Sequence, residues 1–331
     1  MNNIFETSIA FWRSSVLFEA LKINLFEKLG ENRLTAEEIS QICSIDQKYI
    51  RRLLRALAAM KFISRKHDTF TCTDIALEGL IPGRSRNMSH FARAMGEDFS
   101  GGYWIDLSQS LNPGNFSAAS IVEERQMNPR TLAMVTQNIA LQGEAEALKE
   151  NLDLAEKGSL LDIGGGSGVY SVALCKSNPL LQAVIVEIPE VAELTKKIIT
   201  EFELDDRIQV VGIDWNDCRY ENEFDCVLLS DVLYFQPEEC RKLINLAFRT
   251  LKPGGMLAIR GYFWDDSDDR IFPALFDINL MAHNTHNMNP SVEEVITWIG
   301  ESGFAEHVSK PITELSYLIT GKKPKVKKEK S

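Results

Sequence analysis

The stretch Ser159 to Tyr170, Ser-Leu-Leu-Asp-Ile-Gly-Gly-Gly-Ser-Gly-Val-Tyr, constrains the fold of this chain more than any other. An apolar run carries an acid, Asp162, then enters a turn made of Gly164, Gly165, Gly166, Ser167 and Gly168, and continues into a helical pattern. This reads as strand, tight turn, helix. Glycines at such a turn permit positive φ and let a ligand approach the main chain closely. The helix that follows offers unpaired N–H groups and a positive dipole end to an anionic group. Residues near 160 to 168 are therefore expected to form the floor of a nucleotide-type site.

The rest of the C-terminal half alternates strand with helix. Strands are expected at 160–163, 183–187, 208–212, 225–230 and 256–260, with helices at 168–177, 190–202 and 237–250. Helix 291–302 and two strands near 304–308 and 315–320 close the series. Repeated βαβ units give a doubly wound, mostly parallel sheet with helices on both faces, an α/β fold. Ligands of such sheets lie outside the carboxyl ends of the strands. Glu187 ends the second strand about 20 residues after the turn, where an acid takes the hydroxyls of a ribose. Asp214 and Trp215 follow the third strand; the carboxylate suits an adenine amino group and the indole can cover the ring. Any one of these acids alone reads as a solvated strand end. Together they mark one edge of one sheet.

The N-terminal half reads differently. Phe11, Val16, Leu17, Ala20, Leu21, Leu25 and Leu29 make an apolar stripe on a helix over 8–29, stopped by Gly30. Thr35 and Glu38 have capping-box spacing. A second helix runs through Lys48 to Leu57, and two short strands near 62–64 and 69–72 flank a polar turn. This is a winged-helix pattern. Arg51, Arg52 and Arg55 on the second helix raise the question of DNA, but the net charge of −11 opposes it, and a solvated helix face is the favoured reading. Residues 86–150 are expected to be mostly helical, with breakers at Gly101-Gly102 and Asn112 to Asn115, and with 128–150 as one long helix. Tyr103 and Trp104 face either a ligand or the core.

Several classes are set aside by composition. The 331 residues suffice for two domains, and the 44% hydrophobic and 25% charged content is that of an ordinary globular protein. No apolar run reaches about 18 residues, so no membrane span is expected. Met1 to Glu6 lacks a basic segment leading into an apolar one, so no secretory signal is expected and the location is taken as cytoplasmic. The six cysteines are scattered without a CxxC pair, which favours reduced thiols over a disulfide or metal site. Asp265, Asp266, Asp268 and Asp269 lack the glycine bend of a hard-cation loop and read as a solvated loop, leaving no metal expected. The tail 322–331 carries six lysines and is expected to be disordered.

With these residues in view, the chain resembles the class I S-adenosylmethionine-dependent methyltransferases. More narrowly, it is similar to the small-molecule O-methyltransferases that include the hydroxyindole and caffeic acid enzymes. The matching segments are Leu161 to Gly168, Val186 to Val191, Asp206 through Trp215, Leu251 to Gly255, and Ser302-Gly303-Phe304. The resemblance implies a Rossmann-like catalytic domain over 156–321, an N-terminal winged-helix domain over 1–100 that forms a homodimer, and a helical connector over 101–155 lining the substrate pocket. It implies S-adenosyl-L-methionine as cofactor and a small-molecule methyl acceptor, with neither nucleic acid nor membrane as partner. Carried over residue by residue, Asp162 and the turn Gly164, Gly165, Gly166 and Gly168 hold the methionine part. Glu187 takes the ribose, Asp214 and Trp215 take the adenine, and Ser230 stands at a further polar contact.

The pattern breaks at the base. The family carries a histidine after the fourth strand; here Asp231-Val232-Leu233-Tyr234-Phe235-Gln236 puts Tyr234 in that place. Gly261 stands where an acid usually orients the histidine, and Asn287 to Pro290 lacks the family's third acid. Tyrosine has an unperturbed pKa near 10 against about 6.5 for histidine, so a neutral phenol is a poor base at neutral pH. Three readings stay open. The acceptor needs no strong base, as in methylation of an electron-rich ring carbon, with Tyr234 orienting it. Another base has moved in, with His283 and His286 as the candidates. Or the scaffold binds the cofactor for chemistry other than methyl transfer, or as a cofactor-sensing winged-helix regulator.

Overall fold

A computed structural model describes residues 3–84, 86–102, 104, 107, 127–155, 158–267, 269–283 and 289–325. The chain divides into two compact units, Met1–Ile105 and Asp106–Ser331.

The first unit contains α1 (Asn3–Lys22), α2 (Leu25–Leu29), β1 (Leu34–Thr35), α3 (Ala36–Cys43), α4 (Gln47–Ala59), β2 (Ile63–Lys66), β3 (Thr69–Cys72), α5 (Asp74–Leu80) and α6 (Ser89–Gly101). The helix expected over 8–29 is broken. Asn24 adopts φ 54, a left-handed conformation that asparagine tolerates better than most residues. The break turns Leu25, Phe26 and Leu29 into the core, each at most 1% exposed. Gly30 ends α2 with φ 51, its N–H on the Phe26 carbonyl. Thr35 and Glu38 form the expected capping box. The wing is an antiparallel sheet of order β1-β3-β2. Arg51 is ion-paired to Asp68 of the wing turn at 2.7 Å.

The second unit opens with α7 (Pro129–Ile139), a π-helical turn (Ala140–Glu144) and α8 (Ala145–Asn151). The single helix expected over 128–150 is thus interrupted, because Gly143 takes φ 115 and Gln142 leaves helical ψ. Then come β4 (Ser159–Ile163), α9 (Val169–Ser177), β5 (Gln182–Glu187), α10 (Pro189–Glu201), β6 (Ile208–Gly212), β7 (Phe224–Ser230) and α11 (Pro237–Thr250). β8 (Leu251–Gly261), α12 (Ile271–His283), α13 (Val292–Glu301), β9 (Ala305–Pro311) and β10 (Tyr317–Lys322) complete it. Among the described residues the sheet has seven strands in the order β6-β5-β4-β7-β8-β10-β9. The five strands from β6 to β8 run parallel, and β10 is antiparallel to both β8 and β9. This is the doubly wound, mostly parallel sheet that the βαβ pattern implies.

Alternate residues of one strand feed two cores. Val227 and Leu229 of β7 face a core with Leu243, Ile244, Val295 and Ile299 of α11 and α13. Cys226 and Leu228 face another with Val172, Leu174 and Cys175 of α9. A central strand buried on both faces reads as a continuous apolar run. That is why Cys226 to Leu229 are all fully buried.

One expectation is corrected here. Lys322 lies in β10, and Lys323 continues the pairing: its N–H donates to Gly255 at 2.9 Å and its carbonyl accepts from Gly254 at 2.8 Å. Its ammonium donates to the carbonyls of Phe248 and Leu251, both at 2.7 Å. The lysine-rich segment is therefore structured through its first residues, because these backbone carbonyls need donors; 326–331 lie outside the described residues. Between β8 and α13 stands a further helix, α12. Its apolar residues surround the axis without a period, and Ile271 and Leu275 remain exposed.

Candidate functional site

The carboxyl edge of the parallel strands collects the turn after β4, the end of β5, the loop after β6 and the segment after β7. Gly164 donates its N–H to the Val186 carbonyl at 2.8 Å, which fastens the turn to β5. Glu187 holds it again. One carboxylate oxygen accepts the Gly166 N–H and the other the Ile188 N–H, both at 2.8 Å. Burial raises the pKa of Glu187, opposed by these two N–H donors. Each oxygen retains a further lone pair, so the carboxylate can still accept from a diol.

Two of the turn's glycines are needed for different reasons. A Cβ on Gly165 would sit 2.7 Å from Ile185 Cγ2 and 2.8 Å from Asp162 Oδ2. Gly166 has φ 56, and its nearest neighbours on that side, Ala133 and Thr136 of α7, are 3.9 Å away. The turn is thus packed hard against the sheet below and open by one atom's width toward α7.

Asp162 lies under the turn, 1% exposed. Its Oδ2 accepts the Ser171 hydroxyl at 2.6 Å. Burial pushes its pKa up to about 7, with Ser171 opposing the rise and Glu187 adding to it. Among the described residues the other oxygen, Oδ1, finds no hydrogen-bond partner, and neither does Ser230 Oγ at the end of β7. Buried polar atoms of this kind are rare and mark places where something else supplies the partner. An ammonium, as on a free amino-acid group, matches such acceptor atoms beside a helix N-terminus.

Asp214 is exposed and caps the short turn Trp215–Asp217, with Oδ1 accepting the Asn216 N–H at 2.8 Å. Trp215 is half-buried against the first core. So the turn, Glu187, Asp214, Trp215 and Ser230 fall on one strand edge.

Tyr234 follows on the loop after β7, whose Val232 closes on Gly164; a Cβ there would meet Val232 Cγ1 at 2.7 Å. The Tyr234 hydroxyl donates to Asp231 Oδ1 at 3.0 Å. Its ring stands edge-on to Phe276 of α12 with centroids 5.1 Å apart, and Tyr262 meets Phe276 and Phe272 in the same way at 5.1 and 5.0 Å. Burial, then the neighbouring Asp231 charge, raise the Tyr234 pKa well above the ordinary phenol value. His283 ends α12 with Nδ1 2.8 Å from the Asn279 carbonyl of its own helix. His286 and Tyr103 lie outside the described residues, as does Asp268. Asp265 is occupied locally, accepting from the Ser267 N–H and hydroxyl at 2.8 and 2.6 Å.

Sequence reasoning missed a buried charge cluster. Arg260, at the end of β8 and 0% exposed, is ion-paired to both Asp231 and Glu144. A signal existed for one of them: Arg260 is the lone charge in Met256-Leu257-Ala258-Ile259-Arg260-Gly261.

Comparison with known proteins places this geometry. Residues 115–305, more than half of the chain, match the family described as O-methyltransferase domain, and residues 5–77 match the O-methyltransferase dimerisation domain. The chain is similar to 3-hydroxy-5-methyl-1-naphthoate 3-O-methyltransferase of Streptomyces sahachiroi, 23% identical over 91% of this chain and 88% of that protein. It is 37% identical to L-tyrosine C(3)-methyltransferase of Streptomyces lavendulae, over 39% of this chain and 36% of that one. The crystal structure of human N-acetylserotonin methyltransferase in complex with SAM shares the fold, with TM-score 0.84 at 17% identity, covering 98% of this chain and 99% of that one.

Proposed function

Because the chain belongs to the O-methyltransferase family, we propose that it moves a methyl group from S-adenosyl-L-methionine to a small hydroxylated aromatic metabolite, on oxygen or on the adjoining ring carbon. The observation that carries this reading is the meeting of two features on one strand edge. Glu187 and the glycine turn form a cradle for a nucleoside that also carries an amino-acid group, and Tyr234, Tyr262 and Phe276 form an aromatic wall after β7 and β8. The two relatives named above act, by their names, on a hydroxynaphthoate and on the ring carbon of tyrosine.

In this reading the donor supplies an electrophilic methyl carbon. Glu187 takes the ribose hydroxyls, Asp214 and Trp215 the adenine, and Asp162 and Ser230 the charged amino-acid end. Tyr234 contacts the acceptor. Most of the acceleration comes from holding nucleophile and methyl carbon about 3 Å apart and in line, away from water. The protein works as a homodimer through its N-terminal unit, where α1 leaves Ile4, Phe5, Phe11 and Trp12 at least half exposed. Its six cysteines are free thiols, which fits a reducing cytoplasm. No helix among the described residues is long and apolar enough to cross a membrane.

The test incubates the full chain with methyl-labelled S-adenosylmethionine and a panel of catechol, hydroxynaphthoates and L-tyrosine. Transfer of label to an aromatic acceptor is expected, and mass spectrometry locates it on oxygen or carbon. Binding of S-adenosylhomocysteine without transfer to any member overturns the acceptor class. Absence of that binding overturns the donor.

A further inference from the structure

Among the described residues of the second unit, a buried charge cluster stands apart from the proposed nucleoside cradle. It surrounds Arg260. The guanidinium pairs with Asp231 of the loop after β7 and with Glu144 of the π-helical turn. It also lies over the Tyr262 ring at 4.3 Å and near the Tyr170 ring of α9 at 5.4 Å. Ser316, just before β10, donates to Glu144. Two separate segments are thereby tied to one fully buried side chain, and a third is tied, through Ser316, to its partner Glu144.

Asp231 is held in two ways. Its N–H donates to the Arg260 carbonyl at 2.9 Å, and its Oδ2 takes the Arg260 guanidinium. It adopts φ 55, a left-handed conformation for a non-glycine residue, which persists where the surroundings enforce it. What this arrangement leaves for Oδ1 is the Tyr234 hydroxyl. Tyr234 is therefore fixed as a donor toward Asp231, which leaves its oxygen lone pairs as acceptors.

That geometry resolves the difficulty of a tyrosine in the base position. A phenol whose proton is this hard to remove is no base alone. A phenol that gives its proton to a carboxylate while receiving another never has to ionise. We propose that Asp231, reached through Tyr234, accepts the proton released by the methyl acceptor, and that Arg260, braced by Glu144, is the positioning residue that keeps this carboxylate aimed. The proposal rests on the methyl-transfer reading above.

The step balances. As the acceptor oxygen or ring carbon bonds to the methyl carbon, the sulfur–methyl bond breaks and the sulfur leaves neutral. The acceptor's proton passes to Tyr234 Oη, and the Tyr234 proton passes to Asp231 Oδ1. Asp231 becomes a neutral acid, and reverse hops return the proton to water after release. The groups facing Asp231 are Arg260, Glu144, Tyr170, Tyr234 and Tyr262. Burial and the like charge of Glu144 raise its pKa, and Arg260 opposes them.

The experiment is a single-turnover pH–rate profile of the full chain with S-adenosylmethionine and the panel member that the wild type methylates, with S-adenosylhomocysteine affinity measured alongside. If no panel member is methylated, the acceptor reading falls and the relay falls with it. If one is, Tyr234→Phe is expected to lower the rate about 10²-fold or more with KM and S-adenosylhomocysteine affinity within about twofold of the wild type. Asp231→Asn is expected to lose the acid limb of the profile. Glu144→Gln, which removes the like charge, is expected to move that limb to lower pH, a shift that a purely structural role would not produce. Arg260→Met is expected to fold poorly, and Glu144→Gln keeps the test sharp in that event. A wild-type acid limb in Asp231→Asn, or an unchanged rate in Tyr234→Phe, overturns the proposal.

Discussion

The carboxylate of Glu187 accepts the Gly166 N–H at 2.8 Å, so the acid closing β5 is fastened to the turn closing β4. One residue thus sets the shape of the cradle and lines it. Glu187→Ala should lower S-adenosylhomocysteine affinity by about 10- to 100-fold, since hydrogen bonds to a charged group are worth about 1.5–3 kcal/mol. Titration calorimetry reads the affinity. The melting temperature should fall as well, because the turn loses its anchor.

Gly165 and Gly166 should respond differently to the same substitution. Gly165→Ala drives a methyl into Ile185 and Asp162, an overpacking that costs typically 1–3 kcal/mol. Gly166→Ala meets nothing nearer than 3.9 Å and pays only for its positive φ, about 1–2 kcal/mol. Urea denaturation should rank Gly165→Ala as the less stable, while Gly166→Ala loses cofactor affinity on the open side of the turn.

Asp162 predicts a pH dependence of stability. The folded carboxyl keeps its proton up to about pH 7, whereas the unfolded one releases it near 3.9. Between those values the native state binds more protons, so stability falls as pH rises, and it levels off above about 7. The melting temperature of the free protein should show this slope, and Asp162→Asn should flatten it. With Asp162 as partner of the donor's ammonium, S-adenosylmethionine binding near pH 6.5 should release a proton. Calorimetry in buffers of different ionisation enthalpy detects that release.

Ser230 Oγ has no partner among the described residues, so Ser230→Ala should leave thermal stability unchanged or slightly raised. Its affinity for S-adenosylhomocysteine should fall by about 5- to 10-fold, the worth of a hydrogen bond of about 1 kcal/mol. Unchanged affinity would remove Ser230 from the cofactor site.

What the sequence by itself determined was whatever depends on neighbours along the chain. The glycine turn, the capping box at Thr35, the proline-started helices α10 and α11 and the alternation of strand and helix are local events, written in spacing and residue type. From them followed the parallel sheet, and with it the edge where Glu187, Asp214 and Ser230 must lie, because strands of one direction bring their ends together. The break at Asn24 and the π-helical turn at Gly143 were not legible, since a helical period runs through both and only packing decides where it stops. The Arg260 cluster was decided by the tertiary structure alone. Glu144, Asp231 and Arg260 lie on a helical turn, a loop and a strand far apart in sequence, and each would be a poor choice for burial by itself. Desolvating a charge costs several kcal/mol unless a partner arrives with it, and the partners arrive only when the sheet has closed. The opening turn therefore marks one edge of the sheet from the sequence alone. The ties that hold Asp231 and Tyr234 in place, to Arg260 and Glu144, exist only in the fold.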